Sequence, residues 1–217
     1  MLVKDYMTRH PVMIEPTTSI VEAQGIMAEI KVRHLPVIAS GKRLAGLVTR
    51  QRMRIPPTEL TSLNVWEITR FLSNLTVADV MVKQEEVITI EPNATLEEAA
   101  QTMIENKVGC LPVLKEGIVV GIITEIDMMG QLTKLLGGSV RGVRVTVRVP
   151  DKIGEFAKVT NAIASQGWGI YAGGSVPAPK QPGYWDIVVK VQNVSEEEIV
   201  AALEKVEGQQ IVDVRQA

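Results

Sequence analysis

The chain has 217 residues, 46% of them hydrophobic and 22% charged, with a formal net charge of -2. These values fit a globular protein of roughly two ordinary domains, and the near-neutral balance gives no global field toward nucleic acid or an anionic membrane. A single cysteine, Cys110, excludes an intramolecular disulfide and fits a reducing, cytoplasmic setting. The opening MLVKDYMT lacks the apolar core of a signal peptide, and no apolar run approaches the roughly 18 residues of a membrane span.

The first 130 residues carry one pattern twice. Asp5 and Asp79 stand 74 apart, Thr49 and Thr124 75, Pro36 and Pro112 76, and Met27–Pro36 (MAEIKVRHLP) answers Met103–Pro112 (MIENKVGCLP) without a gap. Two copies are too few for a solenoid, which needs about three or more. They read as two small modules whose shared surface is a natural place for a ligand. Each copy begins with a short β-favouring run, Val12–Ile14 or Val87–Ile90, closed by Glu15-Pro16 or Glu91-Pro92, because proline cannot extend a ladder. Capping boxes follow at Ser19-x-x-Glu22 and Thr95-x-x-Glu98. They open helices whose apolar residues (Ile20, Ala23, Met27 and Ile30; Leu96, Ala99 and Met103) recur at helical spacing. Strand pairs Leu35–Ala39 with Leu44–Thr49, and Leu111–Leu114 with Ile118–Thr124, read as hairpins, and a second helix is expected from Thr49 and from Thr124. The module is strand, helix, hairpin, helix, about 55 residues with too little core to stand comfortably alone.

Between the copies Ile55-Pro56-Pro57 breaks the chain, and Val65, Ile68, Phe71 and Leu72 predict a short amphipathic helix. Beyond Leu135-Leu136-Gly137-Gly138 the pattern changes. Val143, Val145, Val147 and Val149 alternate with Arg144, Thr146 and Arg148 as in a half-buried strand. A helix follows with Phe156, Val159, Thr160 and Ile163 on one face, stopped by Gly167 and Gly169. Then come strands Ile170–Val176 and Tyr184–Val191, a helix opened by the capping box Ser195-x-x-Glu198, and a last strand Ile211–Val214. That order, βαββαβ, is the ferredoxin-like arrangement. The expected organisation is modules at 1–58 and 76–136, a linker with a short helix at 59–75, and a separate domain at 140–217.

The strongest local signal is Gly121-Ile122-Ile123-Thr124-Glu125-Ile126-Asp127, at a strand end and helix start. Thr124 can offer its hydroxyl to an anion where helix N–H groups are unpaired, and Asp127 can accept both hydroxyls of a ribose cis-diol. The same residues also suit an ordinary N-cap with its N3 acid, needing no ligand. The first copy reads Gly46-Leu47-Val48-Thr49-Arg50-Gln51-Arg52, with Arg54 close behind. Arginines in a first helical turn oppose the dipole by roughly 0.3–1 kcal/mol each; a visiting anion would account for them, as would simple solvation. His34 and Cys110 occupy one place in the two copies and read as structural, and no metal-ligand or catalytic spacing is present in the sequence.

The doubled Gly-x-x-Thr unit with the Leu-Pro-Val strand resembles a pair of CBS domains over about residues 1–135. That resemblance implies an α+β fold in which two β-α-β-β-α modules pair about a pseudo-two-fold axis and bind an adenosyl ligand between them. Of the family's Gly-x-x-Thr/Ser-x-x-Asp motif, Gly121, Thr124 and Asp127 form the complete copy, whereas the first copy ends on Arg52. By resemblance the adenine contacts are Val12, Val32, Ile88 and Val108, and Arg33 and His34 stand ahead of the second strand where the family often meets phosphate, with Cys110 in the matching place of the second copy; Thr49, Arg50 and Arg52 form the other anion corner. The C-terminal βαββαβ is similar to ACT domains, which implies an amino-acid site at Asp151, Ile153 and Gly154, and pairing with another copy. The whole arrangement resembles the acetoin utilisation protein (AcuB) family. The resemblance implies a regulatory protein, not an enzyme, without cofactor or metal. Its ligand would be AMP, ADP or ATP, and it would form a homodimer or act on a partner enzyme. The competing expectation is a scaffold that dimerises or docks without binding nucleotide.

Overall fold

The computed structural model describes residues 1–54, 66 and 74–217. The Ile55-Pro56-Pro57 break and the helix expected around Val65–Leu72 lie outside the described residues. The chain divides into two compact units, Met1–Met128 and Met129–Ala217.

The first unit contains α1 (Val3–Tyr6), β1 (Thr8–Arg9), α2 (Ile20–Glu29), β2 (His34–Ile38), β3 (Leu44–Thr49), α3 (Val77–Val80), β4 (Val82–Lys83), α4 (Leu96–Asn106), β5 (Cys110–Lys115), β6 (Ile118–Thr124) and the start of α5 (Glu125–Leu135). It holds two three-stranded sheets, ordered β2-β3-β4 and β1-β6-β5. The β5–β6 hairpin turns on Glu116 (φ 54°) and Gly117 (φ 80°), the double positive φ of a tight turn matched to strand twist. Thr95 and Glu98 close a full capping box on α4, whereas at α2 Ser19 caps through its hydroxyl alone. Thr76 and Asp79 form a further box that caps α3.

The first expected strand of each module is reduced to a single parallel bridge, Ile14 with Val37 and Ile90 with Val113. Ile14 N–H donates to the Pro36 carbonyl and Ile38 N–H to the Ile14 carbonyl; Ile90 does the same with Pro112 and Leu114. The next bond in one direction would need an N–H on Pro16 or Pro92, and in the other on Pro36 or Pro112. Proline has none. Each ladder is therefore blocked at both ends. The second helix expected at Thr49 is also missing: residues 50–53 form turns, with Met53 N–H reaching the Thr49 carbonyl at 3.3 Å. Arg50, Arg52 and Arg54 oppose a helix N-terminus there, and Pro56 disfavours helical backbone at the residue before it.

The two modules exchange their leading segments. Val3 is fully buried among Leu96, Ala99, Leu111 and Ile123 of the second repeat, and its counterpart Val77 among Ile20, Ala23, Leu35 and Val48 of the first. α1 has no side-chain cap; instead Val3 and Lys4 donate to the carbonyls of Ala94 and Pro92, as Val77 and Ala78 donate to those of Thr18 and Pro16. β1 then pairs with β6 and β4 with β3. Glycine lets the backbones approach closely at both crossings. A Cβ on Gly46 would stand 2.5 Å from the Val82 carbonyl oxygen, and one on Gly121 3.1 Å from that of Thr8. Leu47, Cys110 and Ile122 form a small buried cluster drawn from both repeats.

The second unit contains β7 (Val143–Pro150), α6 (Glu155–Ala164), β8 (Ile170–Pro177), β9 (Tyr184–Val191), α7 (Glu196–Leu203) and β10 (Gln210–Gln216) in the expected βαββαβ order, on an antiparallel sheet ordered β10-β7-β9-β8. Its core is the valine row of β7 with Val159, Ile163, Ile187, Ile199 and Leu203. Two expectations need correction. Thr146, on the supposedly solvated face of β7, is buried, as are Asp186 and Lys190 of the adjoining β9; Arg148 forks onto both Asp186 carboxylate oxygens at 2.7 and 2.8 Å. Phe156 is exposed, and Glu155 is buried in its place. Residues 155, 159 and 163 share the buried stripe at i, i+4 and i+8, while 156 and 160 lie about 100° round the helix.

Candidate functional site

Two clefts among the described residues of the first unit are each built from one repeat's hairpin end and the other repeat's opening segment. The first, about 380 Å³, joins Thr124 and Asp127 to Val12 and Val32, with Thr8 and Lys31 at its edges. The second, about 510 Å³, joins Thr49, Arg50 and Arg54 to Ile88 and Val108, with Lys107 beside them. Arg33 and His34 line both clefts, and Cys110 lines the second. The expected site residues thus sort into two groups. Gly121 and Arg52 stand outside both linings: Gly121 lets β1 approach β6, and exposed Arg52 donates its backbone N–H to the Thr49 hydroxyl at 3.3 Å.

At the Asp127 cleft the strand-to-helix turn carries its own cap. Asp127 Oδ2 accepts from the Thr124 N–H at 2.8 Å and the Thr124 hydroxyl at 2.7 Å, and the Asp127 N–H donates back to Thr124 Oγ1 at 3.4 Å. Capping and ligand binding are compatible here, because a carboxylate has about four acceptor sites and Oδ1 takes no hydrogen bond from the described residues. Val12 and Val32 add apolar surface to the lining of the same cleft. The arrangement can hold a flat apolar group against the valines and two hydroxyls at the carboxylate.

The second cleft has another character. Its charged lining residues are Arg33, Arg50, Arg54 and Lys107 with Glu86 and Glu125. Arg33 Nη2 meets Glu125 Oε1 at 3.2 Å, an ion pair between repeats with both side chains about half exposed, so its net contribution is at most about 1 kcal/mol. Val82, Val87, Ile88 and Val108 supply an apolar wall.

Between the clefts, burial and then the Arg33 charge hold the His34 imidazole below its usual pKa, opposed by Glu125. Burial, and then Glu125, push the Cys110 thiol up to about 12. His34 is therefore a neutral hydrogen-bonding group at neutral pH, and Cys110 an inert thiol. Among the described residues no cluster of three or more His, Cys, Asp or Glu side chains could hold a metal ion, and no helix is long and apolar enough to cross a membrane.

Sequence reasoning missed Lys31 and Lys107 as lining residues. The signal was present: Lys31-Val32 and Lys107-Val108 are identical dipeptides at matched places, and both lysines adopt left-handed backbone, φ 56° and 53°. In the second unit, a cavity of about 230 Å³ at the β7–α6 turn is lined by Asp151, Glu155, Phe156, Ser175 and Trp185, among others. Gly154, at φ 93°, is the N-cap of α6, and Ile153 points fully into solvent. Glu155 Oε1 is held by Lys158 at 2.7 Å, while its buried Oε2 has no partner.

Residues 3–54 and 77–134 match the CBS domain family. A homoserine O-acetyltransferase of Methanocorpusculum labreanum is 32% identical over 127 residues, 57% of this chain and 23% of that protein; the chain thus spans about a quarter of that relative's length. Among solved structures, a Vibrio cholerae protein described as an acetoin utilization protein (AcuB) is 30% identical with a TM-score of 0.52, covering 64% of this chain and 95% of the other. The CBS domain pair of protein MJ0100, solved with 5′-methylthioadenosine and S-adenosyl-L-methionine, shares the fold at 24% identity and a TM-score of 0.50, over 64% and 98% of the two chains. With the family match covering half its length in two copies, the chain belongs to the CBS domain family.

Proposed function

We propose that the protein is a non-enzymatic cytoplasmic regulator that senses an adenine nucleotide (AMP, ADP or ATP) between its paired CBS domains. The observation that carries this reading is the Asp127 carboxylate. One of its oxygens secures the helix start, and the other is left for a cis-diol within a cleft that Val12 and Val32 also line. A ligand shifts a conformational equilibrium only through its differential affinity for the two states, and a cleft walled by both repeats changes with their packing. The likeness to the Vibrio protein supports a role in acetoin or central carbon metabolism. Thermal-shift screening against adenosyl compounds tests the reading, because stabilisation follows occupancy of the native state. A hit whose stabilisation falls in Asp127→Ala supports it; the same stabilisation in both proteins counts against it.

The second unit's strand order and its similarity to ACT domains support an amino-acid site at the β7–α6 turn, around Asp151 and Gly154. The unpartnered, buried Glu155 Oε2 favours this, since a ligand ammonium would satisfy it. The common amino acids, screened on wild type and Glu155→Gln, test the site. An apolar stripe along α5, Ile126, Met129, Leu132 and Leu135, each about half exposed or more, supports the scaffold reading, in which a second copy or a partner enzyme covers it. Light scattering that shows a monomer at high concentration would remove the homodimer.

A further inference from the structure

One arginine serves both clefts. Arg33 lines each of them, and its exposed guanidinium makes a single ion pair among the described residues, Nη2 with Glu125 Oε1 at 3.2 Å. Glu125 belongs to the lining of the Thr49 cleft and not to that of the Asp127 cleft. The pair has no counterpart by repeat symmetry: the place matching Arg33 is Gly109, and the place matching Glu125 is Arg50. The backbone keeps the symmetry, since the Arg50 N–H donates to the Arg33 carbonyl at 2.9 Å and the Glu125 N–H to that of Gly109 at 3.1 Å. The side chains break it. A Cβ on Gly109 would stand 3.4 Å from the Glu125 carboxylate, so that carboxylate rests where the second repeat lacks a side chain.

We infer that Arg33 couples the two clefts negatively: a phosphate-bearing ligand in one weakens the binding of a second phosphate-bearing ligand in the other, whereas an uncharged ligand does not. The inference rests on the reading of the paired clefts as nucleotide sites. A phosphate monoester is close to doubly negative near neutral pH, and it forms charge-assisted, often bidentate bonds with a guanidinium. The Arg33–Glu125 pair is half exposed and therefore weak, so a phosphate in either cleft outcompetes it. When a ligand in the Asp127 cleft takes Arg33, the Thr49 cleft loses a cation and is left with an unpaired Glu125 carboxylate. Both changes oppose a second phosphate. When the ligand sits in the Thr49 cleft instead, the Asp127 cleft loses Arg33 and keeps Lys31. Coupling between sites is reciprocal, so one factor describes both directions. Beside one phosphorylated ligand, the module takes an uncharged one in preference to a second phosphorylated one.

Methyl NMR of the full chain, titrated with AMP, reads the clefts separately: Val12 and Val32 report one, Ile88 and Val108 the other. Disabling the Asp127 cleft by Asp127→Ala is expected to let AMP half-fill the Thr49 cleft at a concentration at least about five-fold lower than in wild type, the low end of ordinary coupling. Where the Thr49 cleft fills first, the same gain appears at Val12 and Val32 in a chain carrying Arg50→Gln and Arg54→Gln. With adenosine as the probe, neither gain exceeds about two-fold. Arg33→Gln is expected to reduce the AMP gain to about two-fold or less, whereas Arg33→Lys, which keeps the charge, retains it. A merely structural role for Arg33 would not separate those two variants. The inference is overturned, with AMP binding left intact, if the gain is absent while Arg33 is present or is undiminished by Arg33→Gln. AMP that fills one cleft alone in every variant overturns it as well. AMP that shifts neither set of methyls in wild type overturns it together with the nucleotide reading.

Discussion

Replacing Gly46 by alanine places a Cβ 2.5 Å from the Val82 carbonyl oxygen and 2.7 Å from Met81 Sδ. Ordinary contact begins near 3.4 Å, so a backbone carbonyl, not a flexible side-chain end, must retreat by about 0.9 Å. That displacement strains the pairing of Gly46 with Lys83 and Leu47 with Val82, the whole of the β3–β4 ladder. Overpacking typically costs about 1–3 kcal/mol, and the rigid neighbour puts Gly46→Ala near the upper end. At Gly121 the close backbone atom, Thr8 O, would be 3.1 Å away and the other crowding atoms belong to the flexible Met7 side chain, so Gly121→Ala is expected to cost about 1 kcal/mol. Urea unfolding followed by far-ultraviolet circular dichroism reads both. With a slope of about 1–3 kcal/mol per molar, Gly46→Ala lowers the midpoint of the first unit by about 1–3 M and Gly121→Ala by about a third as much. Because Val82 lines the Thr49 cleft and Thr8 the Asp127 cleft, each change also moves a cleft wall. A Gly46→Ala midpoint equal to wild type, or Gly121→Ala proving the costlier change, would refute the close-approach reasoning.

Two further predictions concern the groups between the clefts. With its folded pKa below the ordinary 6.5, His34 resists protonation in the native state. Its part of the stability is present above pH 6.5 and declines as the pH falls through that value toward the folded pKa. His34→Gln is expected to flatten this limb. The lower limb, where Asp79 and Glu98 are held below their ordinary 3.8 and 4.5 by hydrogen bonds from Thr76 and Thr95, remains; urea midpoints measured from pH 8 to 3 separate the two. The Cys110 thiol, at about 12, carries little thiolate at pH 8, so an aromatic disulfide reagent is expected to label native protein roughly a thousand-fold more slowly than urea-unfolded protein. Comparable rates in the two states would show the thiol to be accessible.

Much of the first unit was legible because the repeat states each signal twice. Thr95 and Glu98, the β5–β6 turn at Glu116-Gly117 and the buried faces of α2 and α4 follow from local rules that tertiary context left intact, except at Ile30, which caps the end of α2 and is exposed rather than buried. The exchange of leading segments was not legible. β1 and β4 are two residues long, too short for periodicity, and their partners are set by a fold closing on itself. The blocked ladders at Ile14 and Ile90 were readable in principle, but only by pairing Pro16 with Pro36 and Pro92 with Pro112 across strands. For the candidate site, Thr124 and Asp127 announce themselves at a strand-to-helix turn. The sorting of residues between two clefts does not, because it depends on which repeat lends its opening segment to which. In the second unit the hydrophobicity of Phe156 outweighed the i, i+4, i+8 spacing that buries Glu155.

The central claim is that the Asp127 carboxylate grips a ribose. Calorimetric titration of wild type and Asp127→Ala, each with adenosine and with 2′,3′-dideoxyadenosine, tests it from the ligand's side as well as the protein's. The account predicts that wild type binds adenosine at least about ten-fold tighter than the dideoxy compound, as expected for hydrogen bonds to a charged group, and that this preference vanishes in the variant. Equal affinity of wild type for the two nucleosides would contradict it.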